Sequence, residues 1–138
     1  MGSTGKGRDS LAIVLKAVKS ALIRCSAETG YGQLRIAISL YDRDWVTVQL
    51  RFGCERLFKI RRAEFSSTPL LPLDQGRSLS GLVALIDRAI RWCAEQGFGE
   101  VVIDVTPSRK GRGMLEAVIS RATTVKFFFF REFDPLPA

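Results

Sequence analysis

Between Gln33 and Phe52, apolar residues take every second place twice in succession. Leu34, Ile36, Ile38 and Leu40 alternate with Arg35, Ala37 and Ser39; beyond a polar tip, Tyr41-Asp42-Arg43-Asp44, the pattern returns as Val46, Val48, Leu50 and Phe52. A period of two belongs to a strand with one buried face, so the pair predicts an antiparallel hairpin. Gly53-Cys54-Glu55 turns the chain again, and Arg56 to Arg62 predicts a third strand of the same meander. That last leg is strongly basic: Arg51, Arg56, Lys59, Arg61 and Arg62 stand against Glu55 alone.

On either side of the meander the spacing changes. Leu11, Val14, Leu15, Val18 and Leu22 predict a helix from about Leu11 to Arg24, with Asp9 and Ser10 as candidate N-caps. Asp9 is its only acid, as in organelle-targeting segments, but the preferred reading is a helix docked on the domain. Glu64 to Arg77 is a Ser/Pro-rich connection. Leu82, Leu85, Ile86, Ala89, Ile90 and Cys93 form one face of a helix from Leu79 to Gln96, closed by Gly97. Val101, Val102, Ile103 and Val105 make a short buried strand, and Thr124 to Glu132 a last one. The Phe127–Phe130 run has no period, which predicts cover on both faces.

From Gly99 to Ala122 the expected order is strand, Pro-Ser turn, basic glycine loop, helix. Arg109, Lys110 and Arg112 sit among Gly111 and Gly113, where the backbone can come close to a ligand. A helix N-terminus behind them would add free N–H groups and partial positive charge, a phosphate-holding arrangement. The expected fold is therefore α/β: β-β-β-α-β-α-β, a mixed sheet sandwiched by helices, with an extra N-terminal helix. Residues 1–32 read as a basic extension and 33–138 as one RNA-binding domain. No internal repeat is expected.

The chain has 138 residues, a net charge of +7 and a pI near 9.8, a balance that favours a polyanionic partner. It contains no histidine, which removes Ser-His-Asp and Cys-His nucleophile systems and the H-E-x-x-H metal helix. Cys25, Cys54 and Cys93 are far apart and form no C-x-x-C pair, so zinc and redox motifs lack support. No metal or cofactor is implied, and no apolar run reaches the ~18–20 residues of a membrane span.

From Leu34 to Pro137 the sequence resembles the small-subunit ribosomal protein 11 family, RNA-binding proteins of the small-subunit platform. Arg35-Ile36-Ala37-Ile38-Ser39-Leu40-Tyr41-Asp42-Arg43-Asp44-Trp45-Val46-Thr47-Val48, one residue longer, resembles that family's hairpin, H-I-x-A-x-F-N-N-T-x-V-T-V, with Tyr41 at the aromatic and Val46-Thr47-Val48 at its end. Phe58 to Arg62, leading to Thr68-Pro69, is similar to its basic stretch before a Thr-Pro pair. Gly97 through Arg112 resembles its helix end, strand and K-G-x-G-x-G-R loop, and Arg131 to Pro137 its R-D-V-T-P-I-P ending. The departures are Asp42 and Arg43 in place of the tip asparagines, Pro107 to Lys110 in place of the first loop glycines, and no H-N-G-C-R-P-P tail.

The resemblance implies a ribonuclease H-like ribosomal topology and a non-catalytic constituent of the ribosome that binds small-subunit rRNA. Neighbouring small-subunit proteins, and mRNA near the exit side of the platform, are the further partners implied; no membrane is. The divergence suits an organellar ribosome, mitochondrial before plastid, with the bacterial cytoplasm as alternative. The residues expected on RNA are Tyr41, Arg43, Arg51, Arg56, Lys59, Arg61, Arg62, Arg109, Lys110, Gly111, Arg112, Gly113 and Arg131.

Three rivals share parts of the pattern. Lys110-Gly111-Arg112-Gly113 is similar to the pyrophosphate loop of acyl-CoA-dependent N-acetyltransferases, although Leu115 stands where a small residue belongs. Asp42, Asp44 and Asp104 offer carboxylates for a metal-dependent nuclease. The large-subunit ribosomal protein 18 family, which binds 5S RNA, has a similar strand-loop-helix, but the Asp134-Pro135-Leu136-Pro137 ending speaks against it.

Overall fold

The computed structural model describes residues 9–27, 33–42, 44–71, 78–96, 100–107, 114–121 and 124–131. The chain runs α1 (Leu11–Ala27), β1 (Leu34–Asp42), β2 (Trp45–Phe52), β3 (Cys54–Arg61), a 3-10 helix (Arg62–Ser67), α2 (Leu79–Gln96), β4 (Glu100–Pro107), β5 (Met114–Arg121) and β6 (Thr124–Arg131). The six strands form one sheet in the order β3-β2-β1-β4-β5-β6. All five pairings are antiparallel.

The meander forms as its alternation requires. β1 and β2 place Ile36 opposite Leu50 and Ile38 opposite Val48, and β3 adds Phe58 and Ile60 beside Val48 and Val46. These side chains are all buried. Between β2 and β3, Phe52 pairs with Cys54 around Gly53, whose φ of +78° is natural only for glycine.

The last third of the chain corrects the expectation. Residues 114–121 are not a helix but a strand: Leu115, Ala117 and Ile119 register with Pro107, Val105 and Ile103 of β4. Leu115, Val118 and Ile119 also fit helical spacing; β4 on one side and β6 on the other satisfy the backbone as a sheet instead. The sheet is therefore antiparallel rather than mixed.

Nor is it sandwiched. Leu34, Ile36, Ile38, Val101, Ile103 and Val105 join the buried faces of α1 and α2 in one core, so both helices lie on the same side. The opposite face carries no helix among the described residues. α1 is part of this core rather than an extension, with Leu11, Val14, Val18, Leu22 and Cys25 inaccessible. Ser10 caps it by accepting the Ile13 N–H at 3.1 Å. Asp9 instead binds the outer edge of β3: its N–H donates to the Lys59 carbonyl at 2.7 Å, and its carboxylate accepts the Lys59 N–H at 3.0 Å. Glu64 accepts the Leu11 N–H at 2.6 Å, tying the start of α1 to the 3-10 helix.

A tandem repeat underlies this plan, contrary to expectation. α1-β1-β2-β3 and α2-β4-β5-β6 are the same unit, related by a pseudo-twofold axis between β1 and β4. Buried Leu11, Val14, Val18, Leu22 and Cys25 correspond to buried Leu79, Leu82, Ile86, Ile90 and Cys93. Ser78 caps α2 as Ser10 caps α1, accepting the Gly81 N–H at 3.3 Å. The sequence carries the same trace, Ala27-Glu28-Thr29-Gly30-Tyr31-Gly32 against Ala94-Glu95-Gln96-Gly97-Phe98-Gly99.

Cys25 and Cys93 are buried and Cys54 is exposed. Burial pushes the Cys93 thiol up to about 11, with Arg121 pulling it back and Glu100 adding to the rise. At pH 8 a thiol reagent should label Cys54 alone in the folded protein and all three cysteines after denaturation. Because the folded value is the raised one, this contribution to stability is complete below 9.0 and is lost as pH climbs towards 11. Urea unfolding of wild type against Cys93→Ala across that window should show the steeper loss in wild type.

Candidate nucleic-acid interface

Alternation along each strand divides the expected RNA contacts between two sides of the sheet. On β3, Glu55, Leu57, Lys59 and Arg61 point to the open face, opposite Arg51, Gln49, Thr47 and Trp45 of β2. Successive residues of that row stand roughly 7 Å apart along the strand. Arg56 falls on the helix side, where its guanidinium lies 5.0 Å from the Phe58 ring. Arg62 leaves the sheet altogether: its Nε donates to the Ala94 carbonyl at 2.7 Å, a link between the 3-10 helix and α2. The basic stretch is thus not a single patch. Arg51, Lys59 and Arg61 belong to the open face, whereas Arg62 serves the fold.

The open-face cations differ in their partners. Among the described residues, Lys59 and Arg61 form no ion pair. Arg61 lies 5.0 Å over the half-buried Trp45 ring, leaving one guanidinium face outward. Arg51 Nη2 donates to Glu55 at 2.8 Å, and Gln49 donates to the same carboxylate oxygen. Arg35, which strand alternation alone did not single out, donates from Nε to Asp104 at 2.8 Å, with Gln33 as a weaker donor at 3.4 Å. The Asp104 hydrogen bond and charge hold the Arg35 guanidinium above its ordinary value. Antiparallel register was the missing signal, since it sets Arg35 opposite both Arg51 and Asp104.

With Glu55 as the exception, charge is polarised across this face. Arg35, Arg51, Lys59 and Arg61 lie in the first repeat; Glu100, Asp104 and Glu116 lie in the second. Where β2, β1 and β4 meet, a depression of about 320 Å³ is lined by Arg35, Ala37, Gln49, Arg51, Glu100 and Val102.

Several expected contacts fall elsewhere. Tyr41 is in β1 and Arg131 ends β6, each described by its backbone only. Arg43, Arg109, Lys110, Gly111, Arg112 and Gly113 lie outside the described residues. The segment after Gly113 is β5, so no helix N-terminus follows the glycine loop. The pyrophosphate-loop reading loses the same helix. Asp104, the strand carboxylate of the nuclease reading, is bonded to Arg35, and among the described residues no three metal-ligating side chains converge. Compared with known protein families, curated proteins and solved structures, the chain matches none of them.

Proposed function

We propose that this chain is a non-catalytic RNA-binding protein whose open sheet face lies along phosphates, and that its place is the small ribosomal subunit. The observation that carries the reading is the outer row of β3: Lys59 and Arg61 form no ion pair among the described residues, and Arg61 is stacked on an aromatic that a base can share. A sheet face that carries no helix among the described residues offers a flat platform for single-stranded RNA. The net charge of +7 agrees in sign.

The finer, ribosomal reading rests on the sequence likeness in the hairpin β1-β2 and in β3. The glycine-loop part ends in a strand and lends it nothing. Small-subunit rRNA and neighbouring small-subunit proteins are then the partners, in an organelle, with the mitochondrion first.

Binding to small-subunit rRNA should weaken linearly with salt on a log–log scale. The slope expected from three to four phosphates along the open-face cations is about −2 to −3, at roughly −0.7 for each phosphate on a single strand. Lys59→Gln with Arg61→Gln should reduce that slope by about 1.5 and leave the melting temperature within a few degrees. A wild-type slope near zero would remove the proposal.

A further inference from the structure

We infer that Arg35 and Arg51 together seat a single phosphate group in the depression over Ala37, an inference that rests on the RNA-binding reading and names where one phosphate sits. Register sets these two arginines directly opposite each other on adjacent strands. Like charges so placed repel, and a sheet without a use for them does not gain from the pairing. Their carboxylates stand outside the pair: the row across the sheet reads Glu55, Arg51, Arg35, Asp104. Each guanidinium is therefore anchored from its far side while the space between the two holds no acid. Both remain available, with side chains 53% and 63% exposed.

The depression of about 320 Å³ opens beside them, floored by Ala37 and Val102 and edged by Gln49. Arg35 gives Nε and Nη2 to Asp104 and Arg51 gives Nη2 to Glu55, so it is their remaining N–H donors that edge this small space, and a tetrahedral oxyanion accepts several such donors at once. Glu100 lines the other end and repels an anion there, so the phosphate sits at the arginine end.

The internal repeat supplies a control within the same molecule. At the positions equivalent to Arg35 and Arg51, the second unit carries Val102 and Ser120. The helices and the strands β1 and β4 keep the same buried pattern in both units, so the scaffold does not require an arginine at either place. The doublet is an addition to the fold, made in one unit only.

The experiment measures binding of full-length protein to single-stranded small-subunit rRNA fragments at several salt concentrations, for wild type, Arg35→Gln/Arg51→Gln and Lys59→Gln/Arg61→Gln. The arginine doublet variant should bind about tenfold or more weakly at low salt, with a slope smaller by about one. Arg35→Lys/Arg51→Lys, which keeps charge but not the forks, should recover the slope and only part of the affinity. If the Gln doublet binds with wild-type affinity and slope, the seat is wrong while RNA binding stands.

A second arm follows arginine Nε–H resonances of wild type during titration with inorganic phosphate and with a nucleoside monophosphate. Saturable shifts at Arg35 and Arg51 are expected. If wild type fails to bind RNA, the functional reading falls, and this titration decides alone: shifts keep the seat as one for a free phosphate ligand, and no shifts overturn it.

Discussion

Asp87→Ala should destabilise the protein by about 3–5 kcal/mol, because it removes one partner of a buried ion pair and leaves the other charged. Asp87 is fully inaccessible on α2. Its Oδ1 accepts from Arg91 Nε at 2.9 Å and its Oδ2 from the Leu71 N–H at 3.3 Å. Arg91 extends the clamp, donating to the carbonyls of Phe65 at 3.2 Å and Pro69 at 3.0 Å. The Ser/Pro-rich crossover between the two repeats is thus held to α2 by side chains rather than by regular backbone pairing. Without the carboxylate, the Arg91 guanidinium stays largely buried with only carbonyls around it, and the Leu71 N–H loses its acceptor. Urea unfolding should show the whole loss in the midpoint with little change in slope. Asp87→Leu combined with Arg91→Leu should recover much of the stability, since removing both charges leaves neither uncompensated. A single Asp87→Ala variant within 1 kcal/mol of wild type would mean that the clamp contributes nothing. RNA affinity should not change, because the clamp lies on the helix side of the sheet.

That clamp also marks where sequence reading stops. Asp87 sits between Ile86 and Arg88 on a helix whose apolar face was plain, and one acid among such neighbours reads as solvent-facing. Its burial comes from the 3-10 helix and the chain after it, which have no period to announce that they fold back. The hairpin Leu34–Phe52 and both helices were legible, since each has a single spacing and clear punctuation. β5 was not: Leu115, Ala117, Val118 and Ile119 satisfy both a helix and a strand, and the choice falls to partners far away in sequence. The repeat was hidden because the units share few identities. Ser10 and Ser78, Leu11 and Leu79, Cys25 and Cys93 become a pattern only when their common burial and capping are seen. At the candidate interface the basic character of β3 was readable. The withdrawal of Arg62 to the Ala94 carbonyl and the pairing of Arg35 with Asp104 depend on packing and register.

Ile36 and Ile103 are the strongest test of the two-unit architecture. They face each other across the β1–β4 pair, both fully buried, at equivalent positions about the pseudo-twofold axis. On the side away from this pair, Ile36 registers with Leu50 and Ile103 with Ile119, an aliphatic neighbour in each case. Ile36→Ala and Ile103→Ala should each cost about 2–5 kcal/mol, through lost burial and the cavity left behind. Their costs should agree within about 1 kcal/mol if the environments are as alike as the repeat implies. Because the two side chains are neighbours, the double variant should cost less than the two single losses combined, by roughly 0.5–3 kcal/mol. Against a total stability of about 5–15 kcal/mol for a domain, the double variant should be largely unfolded at room temperature or close to it. Circular dichroism during urea titration of the four proteins gives all three quantities. If Ile103→Ala is nearly neutral while Ile36→Ala is severe, the second meander is not part of the same cooperative unit as the first. Losses that simply add would show that the sheet is not continuous across β1 and β4, and the shared open face on which the proposed interface depends would go with it.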